Sequence, residues 1–230
     1  MVTAAPTATN MSQPRMPTNV NILTLAQWLS PAFPVGAFAY SHGLEMVIQS
    51  GGLRSAEALQ AWLEDVLLHG TGRNDALLLR AAYGAGTPEA VAEVDATARA
   101  FCSSSERLLE TTLQGDAFCK TVADVWGSDL SGLTYPVAVG AAARKMEIDV
   151  ALACSMYLQA FLSNLVSAAV RAVPLGQTEG QAVLAALTPH IETIVAETEG
   201  GTLDDLYSTA FLSDIAAMRH ETLNSRIFRS

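Results

Sequence analysis

Apolar residues recur at steps of three and four along most of the chain, which is the spacing of an amphipathic helix. The clearest case follows Ser55, a residue type that caps helix N-termini. The apolar residues after it share one helical face: Leu59, Trp62, Leu63, Val66 and Leu67. No alternating apolar and polar run bounded by hairpin turns occurs, so strands have little support. The pattern predicts an all-α, single-domain bundle of roughly nine or ten helices.

Glycine and proline divide this pattern into segments. Thr87-Pro88-Glu89 places a capping hydroxyl, a proline and a carboxylate at a helix start, and we expect that helix to reach Leu113. Gly115 is then expected to separate it from a segment ending near Trp126-Gly127. Asp149 begins a long helix to about Arg171. The other predicted helices cover 24–29, 42–49, 56–69 after the Ser55 cap, a helix from Asn74 or Asp75 to 83, 135–145, 177–187, 188–199 and 203–217.

The stretch from Val150 to Val170 is uncharged over 21 residues, which is long enough to cross a membrane. It also holds five polar side chains and many alanines, and a lone span of that polarity inserts poorly. The polar residues are Ser155, Gln159, Ser163, Asn164 and Ser167. We therefore predict a central buried helix and no membrane partner.

Composition limits the classes of function. The chain has 230 residues, half of them apolar, which suits one large domain. Its formal charge of −10 argues against nucleic-acid binding, because phosphate contacts need clustered Lys and Arg. Cys102, Cys119 and Cys154 share no CxxC spacing, so the sequence favours a reducing cytoplasm over a disulfide framework or a zinc site. Residues 1–21 are predicted to be a disordered tail ahead of a domain at 22–230.

The stretch from Ser30 to Glu45 is the most distinctive in the sequence. Pro31 and Pro34 disfavour helix in the residues before them, so 30–35 is predicted as a stiff, non-helical arm. Its aromatic residues, Phe33, Phe38 and Tyr40, must pack on the chain or on a partner. Ser41 is expected to cap a helix that begins at His42.

Candidate catalytic chemistry is sparse. Four histidines are scattered without an HxxxH pair, so no metal site is predicted, and no P-loop occurs that would support GTP or ATP hydrolysis. Ala39-Tyr40-Ser41-His42-Gly43 approximates the Gly-x-Ser-x-Gly elbow of serine hydrolases. That motif needs the edge of a parallel sheet, so a helix-capping Ser41 is favoured and a Ser41 hydrolase is kept as the alternative function.

The last twelve residues of this acidic chain hold three arginines, interleaved with Ile227 and Phe228. A frayed basic terminus is one interpretation. The other is an arm at about 219–230 that orders on a partner, with Phe228 as the apolar anchor and Arg219, Arg226 and Arg229 as donors to carboxylates. Arg171, just before the helix break at Pro174-Leu175-Gly176, could likewise form a polar recognition edge with Gln177 and Gln181.

Four segments, in order along the chain, resemble the signature sequences of UreF-type urease accessory proteins. They are the stretch 30–45 (SPAFPVGAFAYSHGLE), Tyr135 to Gly140 (YPVAVG), Val173 to Gln181 (VPLGQTEGQ) and Met218 to Ser230 (MRHETLNSRIFRS). Together the matches run from residue 25 to the last residue and cover nearly the whole chain.

This resemblance implies a cytoplasmic, non-catalytic adaptor of urease maturation. Such a protein joins UreD/UreH and recruits the GTPase UreG to apo-urease for GTP-dependent nickel insertion, and it forms an α-helical homodimer in the complex. It needs no cofactor of its own, because its partners handle nickel and GTP. The resemblance assigns Tyr40, Glu45 and Arg171 to the UreG-facing surface. It assigns Arg226, Phe228 and Arg229 to the UreD/UreH contact.

Overall fold

The computed structural model describes residues 19–230, and within that range it is an all-α bundle without strands, as predicted. Ten α-helices and two short 3-10 turns follow one another in the described residues. The helices are α1 (Asn19–Trp28), α2 (Leu44–Gln49), α3 (Ala56–His69), α4 (Thr71–Gly84), α5 (Pro88–Ala100), α6 (Ser105–Trp126), α7 (Tyr135–Lys145), α8 (Val150–Ala172), α9 (Gln177–Glu197) and α10 (Phe211–His220). The 3-10 turns are Ala37–Ala39 and Leu203–Asp205.

Several helix starts follow the capping signals in the sequence. The side chains of Ser55 and Thr87 accept hydrogen bonds from the amides of Ala58 and Ala90, at 3.3 and 3.2 Å. The Asp149 carboxylate accepts from the amide of Leu152 at 2.8 Å. These side chains satisfy N–H groups that a helix start leaves without a partner.

The predicted helix from Thr87 to Leu113 is wrong. It is broken at residues 101–104 into α5 and α6, because Ser104 caps a new helix by accepting from the amide of Arg107 at 3.2 Å. Gly115 does not separate two helices and lies inside α6. A side chain there would overlap the backbone at Leu133 and Thr134, so the glycine allows a close approach of the loop before α7.

The expected break at Pro189 is also wrong, since α9 runs through it. Pro189 leaves one carbonyl of the helix without an N–H donor. Burial of Leu187 and Ile191 on either side holds the helix together. The predicted last helix at 203–217 is wrong at its start, because residues 203–205 form only a 3-10 turn and α10 begins at Phe211 and ends at His220. At the other end, α1 begins at Asn19, so residues 19–21 are helical, and the rest of the predicted disordered tail lies outside the described residues.

The long apolar helix α8 is the one described helix whose length and hydropathy would allow it to cross a membrane, a test that core helices also pass. It packs on α9, α4 and α7 and buries Cys154, Leu158 and Leu162 completely. The expected role as a central core helix is confirmed by this packing.

The arm at residues 30–35 is non-helical, as predicted, and packs on the bundle. Phe33 contacts the ring of Phe118, with ring centroids 5.6 Å apart, and Tyr40 is buried. Helix α2 begins at Leu44 and is preceded by Gly43, so the expected start at His42 is wrong. Ser41 is not the N-cap, although its hydroxyl accepts from the amide of Glu45 at 3.2 Å.

Candidate partner-binding site

Glu45 lies at the centre of the candidate site, where residues 221–230, the terminal segment, fold back onto α2. Its side chain is buried, with the residue 1% exposed, and accepts hydrogen bonds from the amides of Ile227 at 2.8 Å and Phe228 at 2.9 Å. Burial by itself would raise the pKa of this carboxyl group. The two backbone donors and the neighbouring His220 outweigh burial and hold the pKa of Glu45 below its usual range.

His220, the last residue of α10, joins this carboxylate to a second one on α6. The imidazole is completely buried, with Nδ1 2.7 Å from Glu106 Oε2 and Nε2 3.3 Å from Glu45 Oε2. Glu106 also forms a salt bridge with Arg226 of the terminal segment. Three elements distant in sequence are therefore connected through one imidazole.

The end of the terminal segment is held against residues 39–41. The amide of Arg229 donates to the carbonyl of Ala39 at 2.8 Å, and the amide of Ser41 donates to the carbonyl of Ser230 at 2.9 Å. The Ser230 hydroxyl also binds Glu110, which is paired with the buried Arg107. These contacts attach the segment to α6 as well as to α2.

Arg171 covers the apolar anchor of the segment. Its Nη2 donates to the carbonyl of Phe38 at 2.8 Å, and its guanidinium carbon lies 4.9 Å from the ring centroid of Phe228. Phe228 is 4% exposed, whereas Phe38 is 66% exposed. A cation held over an aromatic face in this way stabilises the docked segment.

The structure thus brings together residues that the family resemblance assigns to two separate surfaces. Tyr40, Glu45 and Phe228 are buried within the chain. The side chains at the surface in this region are those of Arg171, Arg226, Arg229, Phe38 and Ile227. The buried residues therefore act on the shape of this surface, and the exposed ones are available to a partner.

Sequence reasoning missed Glu106, Glu110 and Arg107 as members of this site. Their spacing along α6 is a weak signal, since a carboxylate pair four residues apart usually marks a solvated helix face. His220 lies inside the terminal signature segment but was judged only as one of four scattered histidines. What identifies it is the pair of carboxylates that meet it from α2 and α6.

Beside the segment, α10 presents an apolar face to the exterior. Phe211, Ile215 and Met218 recur at steps of four and three and are 65%, 43% and 50% exposed. Leu212 is 71% exposed and Ile227, in the terminal segment, is 72% exposed. Several large apolar side chains exposed together are typical of protein contact surfaces.

Ser41 is not positioned as a hydrolase nucleophile. It is 1% exposed, it lies between a 3-10 turn and α2, and its hydroxyl is hydrogen-bonded to the carbonyl of Ser230. The parallel sheet edge that an elbow requires is absent from the described range 19–230. Nor do residues 19–230 contain a group of three or more His, Cys, Asp or Glu side chains that could hold a metal ion.

Comparison with known proteins assigns the chain to a family. The family model described as UreF matches residues 53–188. The chain is 54% identical over 214 residues to the urease accessory protein UreF of Ruegeria pomeroyi, covering 93% of this chain and 99% of that protein. It is 56% identical over 208 residues to the protein of the same name from Roseobacter denitrificans, covering 90% of this chain and 93% of that one.

These matches define the class of protein as a urease accessory protein, with a role in urease maturation. Within that class, the chain belongs to the UreF family.

Proposed function

We propose that this chain is a non-catalytic adaptor that joins UreD/UreH and recruits the GTPase UreG to apo-urease for GTP-dependent nickel insertion. Nickel is the cargo of the assembly, and GTP is bound by UreG, so the chain itself needs no cofactor. We further propose a cytoplasmic location and a homodimer within the complex. Three unpaired cysteines, Cys102, Cys119 and Cys154, suit a reducing compartment.

The observation that carries this proposal is the apolar face of α10 beside the terminal segment. Phe211 and Leu212 are among the most exposed large apolar residues of the described chain, and Ile227 is equally exposed. Leaving such side chains in water costs about 1.5–3 kcal/mol each relative to burial. We assign this face, with the exposed Arg226 and Arg229, to the UreD/UreH contact. Phe228 is 4% exposed, so its part is to hold the terminal segment in shape beneath this contact.

Phe211→Asp is expected to weaken binding to UreD/UreH at least about tenfold, because it places a charge within an apolar contact. The fold should be unaffected, since the side chain is 65% exposed. The measurement is the dissociation constant for purified UreD/UreH, with helix content monitored by circular dichroism.

Val125→Asp is the matched control. Val125 is 61% exposed near the end of α6. Glu106, which contacts His220 of α10, lies at the start of the same helix, roughly 28 Å away along the axis. The Val125→Asp variant should therefore bind UreD/UreH as the unmodified chain does. Equal affinities for all three proteins would exclude the α10 face as the contact.

We assign the UreG-facing surface to Arg171, Tyr40 and Glu45, with the exposed Phe38 beside them. Tyr40 and Glu45 are buried, so their part is to hold residues 37–45 in shape beneath this surface. Arg171 reaches solvent and holds the carbonyl of Phe38. Recruitment through this surface would respond to the nucleotide state of UreG only if the affinity of the surface for UreG differs between those states.

Arg171→Glu is expected to reduce UreG recruitment at least about tenfold while UreD/UreH binding is retained, because a charge reversal at a contact is repulsive. Recruitment is measured by co-purification of UreG with the preformed complex. Arg54→Glu, a reversal at an exposed arginine on the turn before α3, is the control. Equal loss of both partners from the Arg171 variant would instead indicate that the contact with Phe228 had been disrupted.

A further inference from the structure

The imidazole of His220 faces a carboxylate oxygen at each of its two nitrogens. Nδ1 is 2.7 Å from Glu106 Oε2, and Nε2 is 3.3 Å from Glu45 Oε2. A neutral imidazole has one N–H group and one lone pair, so one of the two contacts would set a lone pair against a carboxylate. An imidazolium donates at both nitrogens. Favourable contacts at both nitrogens therefore require one proton more than a neutral imidazole and two carboxylates carry.

That proton belongs on the imidazole. Glu45 already accepts hydrogen bonds from the amides of Ile227 and Phe228 and from the side chain of Gln49, which favours its carboxylate form. Glu106 forms a salt bridge with the guanidinium of Arg226, a group that only donates hydrogen bonds. Neither acid is placed to carry the extra proton.

The charges around His220 balance only when it is protonated. Glu45 faces it from α2, Glu106 faces it from α6, and Arg226 enters from the terminal segment through Glu106. Farther along α6, Arg107 and Glu110 pair with each other. With the imidazolium, two positive and two negative charges meet in this cluster. Without the proton, a net negative charge is left in a buried place, which is costly.

We propose that His220 is a proton-controlled clasp, which keeps the terminal segment folded on α2 and α6 while it is protonated and loosens the segment when it loses the proton. The sign follows from linkage. The imidazolium pairs with both carboxylates only in the closed arrangement, so protonation favours closure and loss of the proton at higher pH weakens it. Histidine is the side chain whose charge ordinarily changes near neutral pH, which sets the pH range of the test.

The test is hydrogen exchange of the amides of Ile227 and Phe228 in the free chain, followed by NMR from about pH 6 to about pH 8.5. Each rate is corrected for the intrinsic pH dependence of exchange, with the amide of Leu158 in α8 as the internal reference. We expect the protection of Ile227 and Phe228 to fall at least about tenfold relative to Leu158 as pH rises. Unchanged relative protection over that range would overturn the proposal.

His220→Gln supplies the non-titrating comparison, because an amide side chain both donates and accepts without changing charge. Its protection at Ile227 and Phe228 should not depend on pH. His190→Gln is the control, since His190 is a half-exposed histidine 3.7 Å from Glu64, and this variant should keep the original pH dependence. The same loss of protection in His220→Gln as in the unmodified chain would contradict the role of His220.

A spectroscopic measurement covers the case in which His220→Gln does not fold. The ¹⁵N chemical shifts of the His220 ring in the unmodified chain should report an imidazolium at about pH 6, and a neutral tautomer there would overturn the proposal. All these measurements use the free chain. A negative result in them would not bear on the proposed partner contacts. A negative result in the partner-binding experiments would not bear on the role of His220.

Discussion

Gly140→Ala is expected to lower the free energy of unfolding by about 3 kcal/mol or more. Gly140 lies on α7 where this helix crosses α4, and an added Cβ would overlap the carbonyl oxygen of Leu79 and lie 2.9 Å from its carbonyl carbon. Backbone atoms inside a helix cannot turn away as a side chain can. The two helices would have to separate, with loss of core packing around them. The measurement is urea unfolding followed by circular dichroism.

Gly84→Ala is the matched control, because it is also a helical glycine, at the end of α4, with no atom within 4 Å of an added Cβ. There we expect a gain of about 0.5–1 kcal/mol, since alanine restricts the unfolded chain more than glycine does. Equal effects of the two substitutions would show that α4 and α7 are not in close backbone contact.

Glu45→Ala is expected to destabilise the protein by about 3 kcal/mol, as loss of one partner from a buried charged network typically does. The substitution leaves the amides of Ile227 and Phe228 without acceptors and leaves His220 with a single carboxylate. The terminal segment must either keep unsatisfied groups buried or detach. Urea unfolding measures the first effect, and faster amide exchange at Ile227 and Phe228 measures the second.

Glu192→Ala, on the exposed side of α9, is the control and should change stability by no more than about 0.5 kcal/mol. If Glu45→Ala were as mild as this control, Glu45 would not be the acceptor that holds the terminal segment.

The parts of the fold that the sequence predicts correctly depend on short-range signals. Thr87-Pro88, Ser55 and Asp149 start helices where expected, because each cap bonds to an amide within three residues. The non-helical arm at 30–35 follows in the same way from the local effect of two prolines.

The errors arise where packing overrides local preference. Gly115 was expected to break a helix, but its missing side chain serves the approach of the loop at Leu133. Pro189 was expected to begin a new helix, but buried neighbours on both sides keep α9 continuous. Neither outcome can be derived from the residues adjacent in sequence, because the deciding atoms belong to other parts of the chain.

The candidate site was predicted in part. Its signature segments identify Tyr40, Glu45 and Phe228, the residues before the helix break include Arg171, and these four lie in one region of the structure. The burial of Glu45 and Phe228 within the chain was not foreseen, because the groups that satisfy Glu45 lie 182 and 183 residues farther along the chain. A carboxylate in the first turn of α2 looks like a surface residue until the terminal segment covers it. The partner roles of these residues stay predictions.

The most direct test of the adaptor function is to combine the full-length chain with UreD/UreH and UreG, with and without GTP, and to measure the assembly by size-exclusion chromatography with light scattering. A stable complex that contains all three components, with UreG retained only when this chain is present, is the result that the adaptor function predicts. Failure to form any complex under every nucleotide condition, or retention of UreG by UreD/UreH alone, would contradict it.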